Sequence, residues 1–314
     1  MIFIRVFVEK TVNLQQNVYL NNSIMEQLKN EKLTVEISSH GAELQSIRNA
    51  EGREYLWQGD EKYWPRRSPI LFPIVCGLWK GQYRIDGKTF ELPRHGFARD
   101  MDFDVVEKTE NSVTYELTSD EETLKVYPYE FGLNVTYVLS DDTINVIWSV
   151  KNLGKEEMHF QIGGHPAFYL PDIKDGDKMR GTILFDNELP LTRIIGNTEG
   201  CIEPERFDVK TEKHLWAFDE ESFADDAVIF DKSQVGLAVI LDADGRPQIG
   251  LSFDAPCLGI WSPYGKNAPF VCIEPWFGVH DWAGYEGEFK DKYLMNHLLP
   301  GALFMSNYEI KVFS

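Results

Sequence analysis

Cysteine is scarce and scattered in this chain. Cys76, Cys201, Cys257 and Cys272 form no C-x-x-C pair and no metal-type spacing. Cys257 and Cys272 lie in apolar, strand-like runs, where a reduced thiol behaves as a small buried hydrophobe. This usage reads as a reducing, cytoplasmic setting. Positive charge is short as well: 31 Lys and Arg stand against 50 Asp and Glu, a formal net charge of −19. Nucleic acids and anionic membranes both need an electropositive face, so neither is an expected partner, and the acidity reads as a solubility device. No apolar run reaches the ~18 residues that would span a bilayer. There is no G-x-G-x-x-G, no Walker loop and no G-x-S-x-G elbow, which removes nucleotide binding and serine hydrolysis as leading ideas. His95, His165, His280 and Glu274 are conceivable metal ligands, but no H-x-x-x-H spacing joins them, so neither a metal nor a cofactor is expected.

What is present is aromatic and β-prone. Aromatic residues make up 13% of 314, and the dominant hydrophobic period is two. In residues 133–139 Leu133, Val135, Tyr137 and Leu139 share one face; in 144–150 Ile144, Val146, Trp148 and Val150 repeat the pattern. Asp86-Gly87 between strand-like flanks is a hairpin signal. Further strands are predicted at 33–37, 112–118, 158–162, 182–185, 227–230, 235–241, 248–253, 259–261, 270–273 and 307–313. Many short strands with turns between them mean an all-β sandwich or barrel. One helix is predicted, at 286–298, where Phe289, Tyr293 and His297 recur four apart. Residues 1–8 are apolar but too short for a span, and 13–30 are Asn/Gln-rich. Residues 1–25 are therefore expected to lie outside the fold, as from an upstream start codon, with 26–314 forming a single domain.

Three segments set ionisable side chains among glycines and aromatics. In RHGFARD (94–100), Gly96 frees the backbone beside His95, which either binds a substrate hydroxyl or is satisfied by backbone. Arg99 is expected to pair with a carboxylate and brace this loop. In QIGGHPAFYLP (161–171), His165 follows two glycines at a strand end and is a general-acid candidate, its ordinary pKa lying near neutrality. In VCIEPWFGVHDW (271–282), Glu274 follows four apolar residues, and Pro275-Trp276 is expected to end the strand. A carboxylate so enclosed costs several kcal/mol, so it is either neutralised by an arginine or used. His280 and Asp281 read as a surface turn.

These residues resemble the aldose 1-epimerase (galactose mutarotase-like) family, in its LacX-like branch. The resemblance rests on YWPRRSPILFPIVCG (63–77), RHGFARD, GGHPAF (163–168), Asp225-Asp226 and CIEPW (272–276), and covers residue 33 to the carboxyl terminus. It implies a β-supersandwich with few short helices and a wide cleft for a hexose-like sugar. It makes Glu274 the catalytic base, His165 the catalytic acid, and His95 and Asp226 sugar-binding residues. The arginine before the S-P-I-L-F-P stretch is Arg66 or Arg67; register favours Arg66. Phe97, Phe168 or Trp276 would cover an apolar sugar face. The chain departs from the well-known galactose mutarotases across 64–77 and after the glutamate, which leaves the sugar open. Two alternatives stand beside anomer interconversion. A hexose-6-phosphate epimerase would gather basic residues from Arg66, Arg67, Lys80 and Arg94; a sugar-binding or sensing protein would keep the pocket without turnover. The expected partner is a small sugar, free or phosphorylated, bound by a monomer or homodimer.

Overall fold

Alternating apolar and polar side chains build two large antiparallel sheets. The computed structural model describes residues 23–174, 176–187, 190–196 and 200–313. The larger sheet has nine strands, in the order Leu215–Asp219, Arg180–Phe185, Leu237–Leu241, Pro247–Phe253, Leu303–Val312, Thr143–Asn152, Phe131–Ser140, Ser112–Thr118 and Asp104–Lys108. Its centre is the hairpin foreseen from the period of two. Trp148 faces Val135 on one side and Ser306 on the other, and Leu133, Val135, Tyr137, Ile144, Val146, Trp148 and Val150 have no measurable exposure. At ~1.5–3 kcal/mol for each large side chain removed from water, such a face specifies register strongly.

The second sheet carries the site. Its order is Ile202–Val209, Leu191–Gly196, Val228–Phe230, Cys257–Trp261, Phe270–Phe277, Ile162–Gly164 and Ile70–Leu71, with Ala167–Tyr169 also pairing to Phe270–Phe277. The strand Phe270–Phe277 is buried on both faces, which explains the apolar run of residues 270–273 that leads into Glu274. Val271 and Ile273 point into the main core. Phe270 and Cys272 join one smaller apolar cluster and Trp276 another. Glu274 lies on the same face, between them. The strand continues through Pro275-Trp276 to Phe277 instead of ending there.

Three further sheets are small, Met25–Lys29 with Leu33–Ser38 and Leu44–Asn49 among them. Met25, expected outside the fold, is the first residue of a sheet strand, while residues 1–22 lie outside the described residues. The helix expected at 286–298 is not formed. Its place is taken by a 3-10 turn, Phe289–Asp291, and a strand, Asn296–Leu298, paired with Met158–Phe160. Leu294 adopts φ 55°, which breaks any helix there. The four-residue recurrence serves three separate purposes: Phe289 packs on Tyr83, Tyr293 donates to Asp231, and His297 faces solvent. The one α-helix among the described residues, Glu121–Val126, is capped by Asp120, which accepts from the backbone of Glu122 and Thr123. No helix among the described residues is long and apolar enough to cross a membrane.

Candidate active site

A cavity of about 220 Å³ opens on the second sheet, walled by Trp64, Trp261, Trp276, Arg94, Arg99 and His95 together with His165, Asp226, Glu274 and His280. Glu274 enters from the middle of Phe270–Phe277. His165 enters from the bend between Ile162–Gly164 and Ala167–Tyr169, the neighbours that pair with that same strand. The two meet with His165 Nε2 3.2 Å from Glu274 Oε2. Trp64 stacks on the imidazole at 4.7 Å and Trp261 meets it edge-on at 5.7 Å, which fixes the ring. Neither Glu274 oxygen nor His165 Nδ1 has a geometrically sound hydrogen bond within the protein.

Burial pushes the Glu274 carboxyl well above the usual carboxylate range, reinforced by Asp226 and opposed by Arg94. Burial also lowers His165, to about 3, with the Arg99 and Arg94 charges adding to it. Both shifts favour the neutral form of each group, so at rest the proton of the pair sits on Glu274 beside a neutral His165. Cys272 lies within 4.8 Å of both groups, but burial raises its thiol well above the ordinary value and keeps it protonated, unlike a thiolate ligand.

His95 is presented by a strained loop. It sits at φ 70°, followed by Gly96 also at φ 70°, where an added Cβ would lie 2.2 Å from the Phe72 carbonyl oxygen. Only glycine fits that approach. The His95 backbone N–H donates to Cys76 O at 2.9 Å, and the Cys76 N–H donates to His95 Nδ1 at 3.1 Å. Since Nδ1 accepts, and burial with the nearby His165 lowers its pKa, the neutral ring carries its proton on Nε2 as a donor. His280 is the complement: its Nδ1 lies 2.7 Å from Gly200 O, which can only accept, against 3.4 Å from the Gly77 N–H, so the shorter contact places the proton on Nδ1 and leaves Nε2 of the neutral ring an acceptor. Cys76 at φ 61° and Asp226 at φ 71° add to the left-handed residues around the cavity. Strain of ~1–3 kcal/mol at each persists where the surroundings over-determine it, as at functional sites.

Arg94 and Asp226 form an ion pair at 2.7 Å. Burial pushes Asp226 up, but Arg94, joined by His280 and the Ala227 N–H, holds it below the ordinary value. Arg99 donates to the Arg94 carbonyl at 2.7 Å and lies 3.6 Å from Asp100, so it braces the loop as expected and also faces the cavity. Arg66 pairs with Asp100 at 2.7 Å, one ion pair outside the cavity wall.

The structure thus brings together His95, His165, Asp226, Glu274 and Trp276. It separates Phe97, which packs on Phe72, Tyr127 and Phe131 instead of lining the cavity, and Phe168, which is core. Arg67 is held by Gln45 and Lys80 lies over Trp79; neither reaches the cavity wall. His280 and Asp281 are not a surface turn. Both are buried, and Asp281 accepts from the Trp79 backbone and pairs with buried Lys292 at 3.3 Å. Trp64, Trp261 and Arg99 escaped the sequence reading of the wall, because nothing in their local pattern says which way they face.

A family model described as aldose 1-epimerase matches residues 26–281. The chain belongs to the aldose 1-epimerase family. Protein LacX, chromosomal, from Lactococcus lactis subsp. lactis is 32% identical over 307 residues, covering 91% of this chain and 98% of LacX. Among solved structures, a galactose mutarotase related enzyme from Lactobacillus acidophilus is 35% identical with a TM-score of 0.85, covering 93% of this chain and 98% of its own. A galactose mutarotase-like protein from Lactobacillus casei is 33% identical with a TM-score of 0.87, covering 92% and 100%. The epimerase fold of this chain is therefore galactose mutarotase-like, mostly strand and without a closed barrel.

Proposed function

We propose that the cavity interconverts the α and β anomers of a hexose-like sugar by acid–base ring opening, without redox change. The observation that carries this reading is the 3.2 Å contact between His165 and Glu274 in a cavity wall. Burial leaves the pair's proton on Glu274 at rest; its transfer to His165 across the 3.2 Å contact readies both groups, after which Glu274 takes the proton from the anomeric hydroxyl O1 while His165 protonates the ring oxygen O5. The C1–O5 bond breaks and C1=O1 forms. Rotation about C1–C2 presents the other carbonyl face; O5 attacks C1, its proton returns to His165, and O1 recovers a proton from Glu274. General acid and base catalysis contribute ~10²–10⁴-fold each, or ~3–5 kcal/mol, enough for a reaction that already proceeds slowly in water.

The remaining wall would hold the ring. His95 donates through Nε2, His280 accepts through Nε2, and Asp226, fixed by Arg94, accepts from a further hydroxyl. Trp64, Trp261 and Trp276 supply the apolar faces that Phe97 cannot. Arg66 acts only at second hand, by fixing Asp100 beside Arg99. The test is anomer exchange by purified protein, followed by polarimetry or NMR, across glucose, galactose and other free aldoses. At least one should equilibrate far faster than in buffer; no acceleration of any aldose, free or phosphorylated, would reject the reading.

A phosphorylated hexose is the second reading, favoured by Arg94 and Arg99 both lining the cavity. Comparing glucose with glucose 6-phosphate separates the two. A phosphate-dependent substrate should also show a KM that climbs with salt, since charges beyond ~10 Å are screened at ~0.1 M.

A further inference from the structure

We propose that Glu157, His159 and His297 form a binding site for a divalent transition metal, zinc foremost, away from the sugar cavity. The three meet by strand geometry. Met158–Phe160 pairs antiparallel with Asn296–Leu298, and His159 stands directly opposite His297. Glu157 precedes His159 by two residues, the spacing that returns a side chain to the same face of extended chain. One carboxylate oxygen serves both rings: Glu157 Oε2 lies 3.2 Å from His159 Nε2 and 3.7 Å from His297 Nδ1. Ligands at ~2.0–2.1 Å from a tetrahedral zinc are themselves roughly 3.4 Å apart; the two Glu157 separations bracket that value, and with all three ligand atoms within 4.8 Å of one another, rotation of the two exposed side chains would centre an ion among them. The imidazole rings stand perpendicular, with centroids 4.8 Å apart.

A second group orients the first. His159 Nδ1 is 3.0 Å from the Tyr129 hydroxyl, which can donate or accept. In the metal-free protein Nε2–H donates to Glu157 and Nδ1 accepts from the Tyr129 hydroxyl; an ion would displace the Nε2 proton, and Nδ1–H would then donate to Tyr129, the arrangement that outer partners of metal-bound histidines provide. His159 is buried, whereas the side chains of Glu157 and His297 are 42% and 48% exposed, so an ion can enter from solvent. Glu157, His159 and Tyr129 also line a cavity of about 460 Å³, and three protein ligands leave one tetrahedral position for water or an anion. Two imidazoles with one carboxylate suit zinc and its neighbours rather than magnesium or calcium, which prefer all-oxygen sites.

The test is titration of the chelator-treated full-length protein with zinc chloride by calorimetry, repeated with cobalt(II) to read four-coordinate absorption in the visible. The wild-type chain should take up one ion at this site at micromolar concentration or below. His297→Ala and Glu157→Gln, at exposed positions that leave the fold unchanged by circular dichroism, should weaken binding by at least about tenfold, and Tyr129→Phe by a similar factor. Unchanged zinc binding in both ligand variants would overturn the proposal and put the ion elsewhere, with His165, Cys272 and Glu274 the next cluster to examine. Absence of wild-type binding below about 0.1 mM would overturn it too.

Discussion

At the scale of single residues, Glu274 sets the energetics of the site. An ionised carboxylate without a hydrogen-bonding protein partner costs several kcal/mol inside a sheet, so the native protein keeps a proton that the unfolded chain releases above the ordinary glutamate value of 4.5. The group's contribution to stability is complete below that value and declines as pH rises toward the raised native value. Each pH unit crossed costs about 1.4 kcal/mol. Glu274→Gln has no such proton to lose. Its melting temperature relative to wild type should therefore climb as pH rises above the ordinary glutamate value toward the raised native one, when both are followed by thermal melts at a series of pH values. A constant offset would mean that Glu274 titrates normally. The partner residue yields a kinetic counterpart. With His165 lowered to about 3 and Glu274 raised, the one-proton pair persists through neutrality. A plot of kcat/KM against pH should show no acid limb near the ordinary histidine value and should fall on the alkaline side as the pair loses its last proton. A tenfold drop below the ordinary histidine value of 6.5 would place His165 in solvent-like surroundings instead.

At the scale of elements, the wall depends on glycines that let an indole lie flat on the sheet. Gly259 pairs with Glu274 in register, and a Cβ there would lie 2.3 Å from Cη2 of Trp276; at Gly163 it would lie 2.7 Å from Cδ1 of the same ring. Gly259→Ala should therefore displace Trp276 into the cavity, costing ~1–3 kcal/mol of stability and raising KM more than it lowers kcat. Denaturant melts and steady-state kinetics on one preparation check both effects. The elements readable in advance were those with a clean period. The central hairpin and 112–118 alternate strictly, and Asp86-Gly87 has positive φ at both residues, as a tight hairpin turn requires. Ile202–Val209 was not readable: IEPERFDV is polar and carries a proline because it is an edge strand, where such residues deter further pairing. The false helix at 286–298 shows the converse. A spacing of four over three residues arises by chance when each answers to a different tertiary partner.

At the scale of the whole molecule, the site is assembled from stretches far apart in the chain, and that distance decides what sequence could disclose. Glycine–histidine–aromatic segments betray themselves locally, so His95, His165 and Glu274 were singled out before any fold was known. Orientation is a tertiary property. Phe97 and Trp64 are both loop aromatics near the motifs, yet one packs into the core and the other stacks on His165. Arg94 was visible only as a candidate for phosphate, because its ion pair with Asp226 joins residues whose sequence separation gives no hint of contact. The central claim is that one proton, passed between Glu274 and His165, opens and closes a sugar ring. It is tested most directly by NMR exchange measurements of anomer interconversion on wild type, Glu274→Gln and His165→Asn, with sugar binding titrated on the same samples. The account predicts that both variants still bind the sugar while exchange falls ~10²–10⁴-fold. Near-wild-type exchange in the Glu274→Gln protein would contradict it.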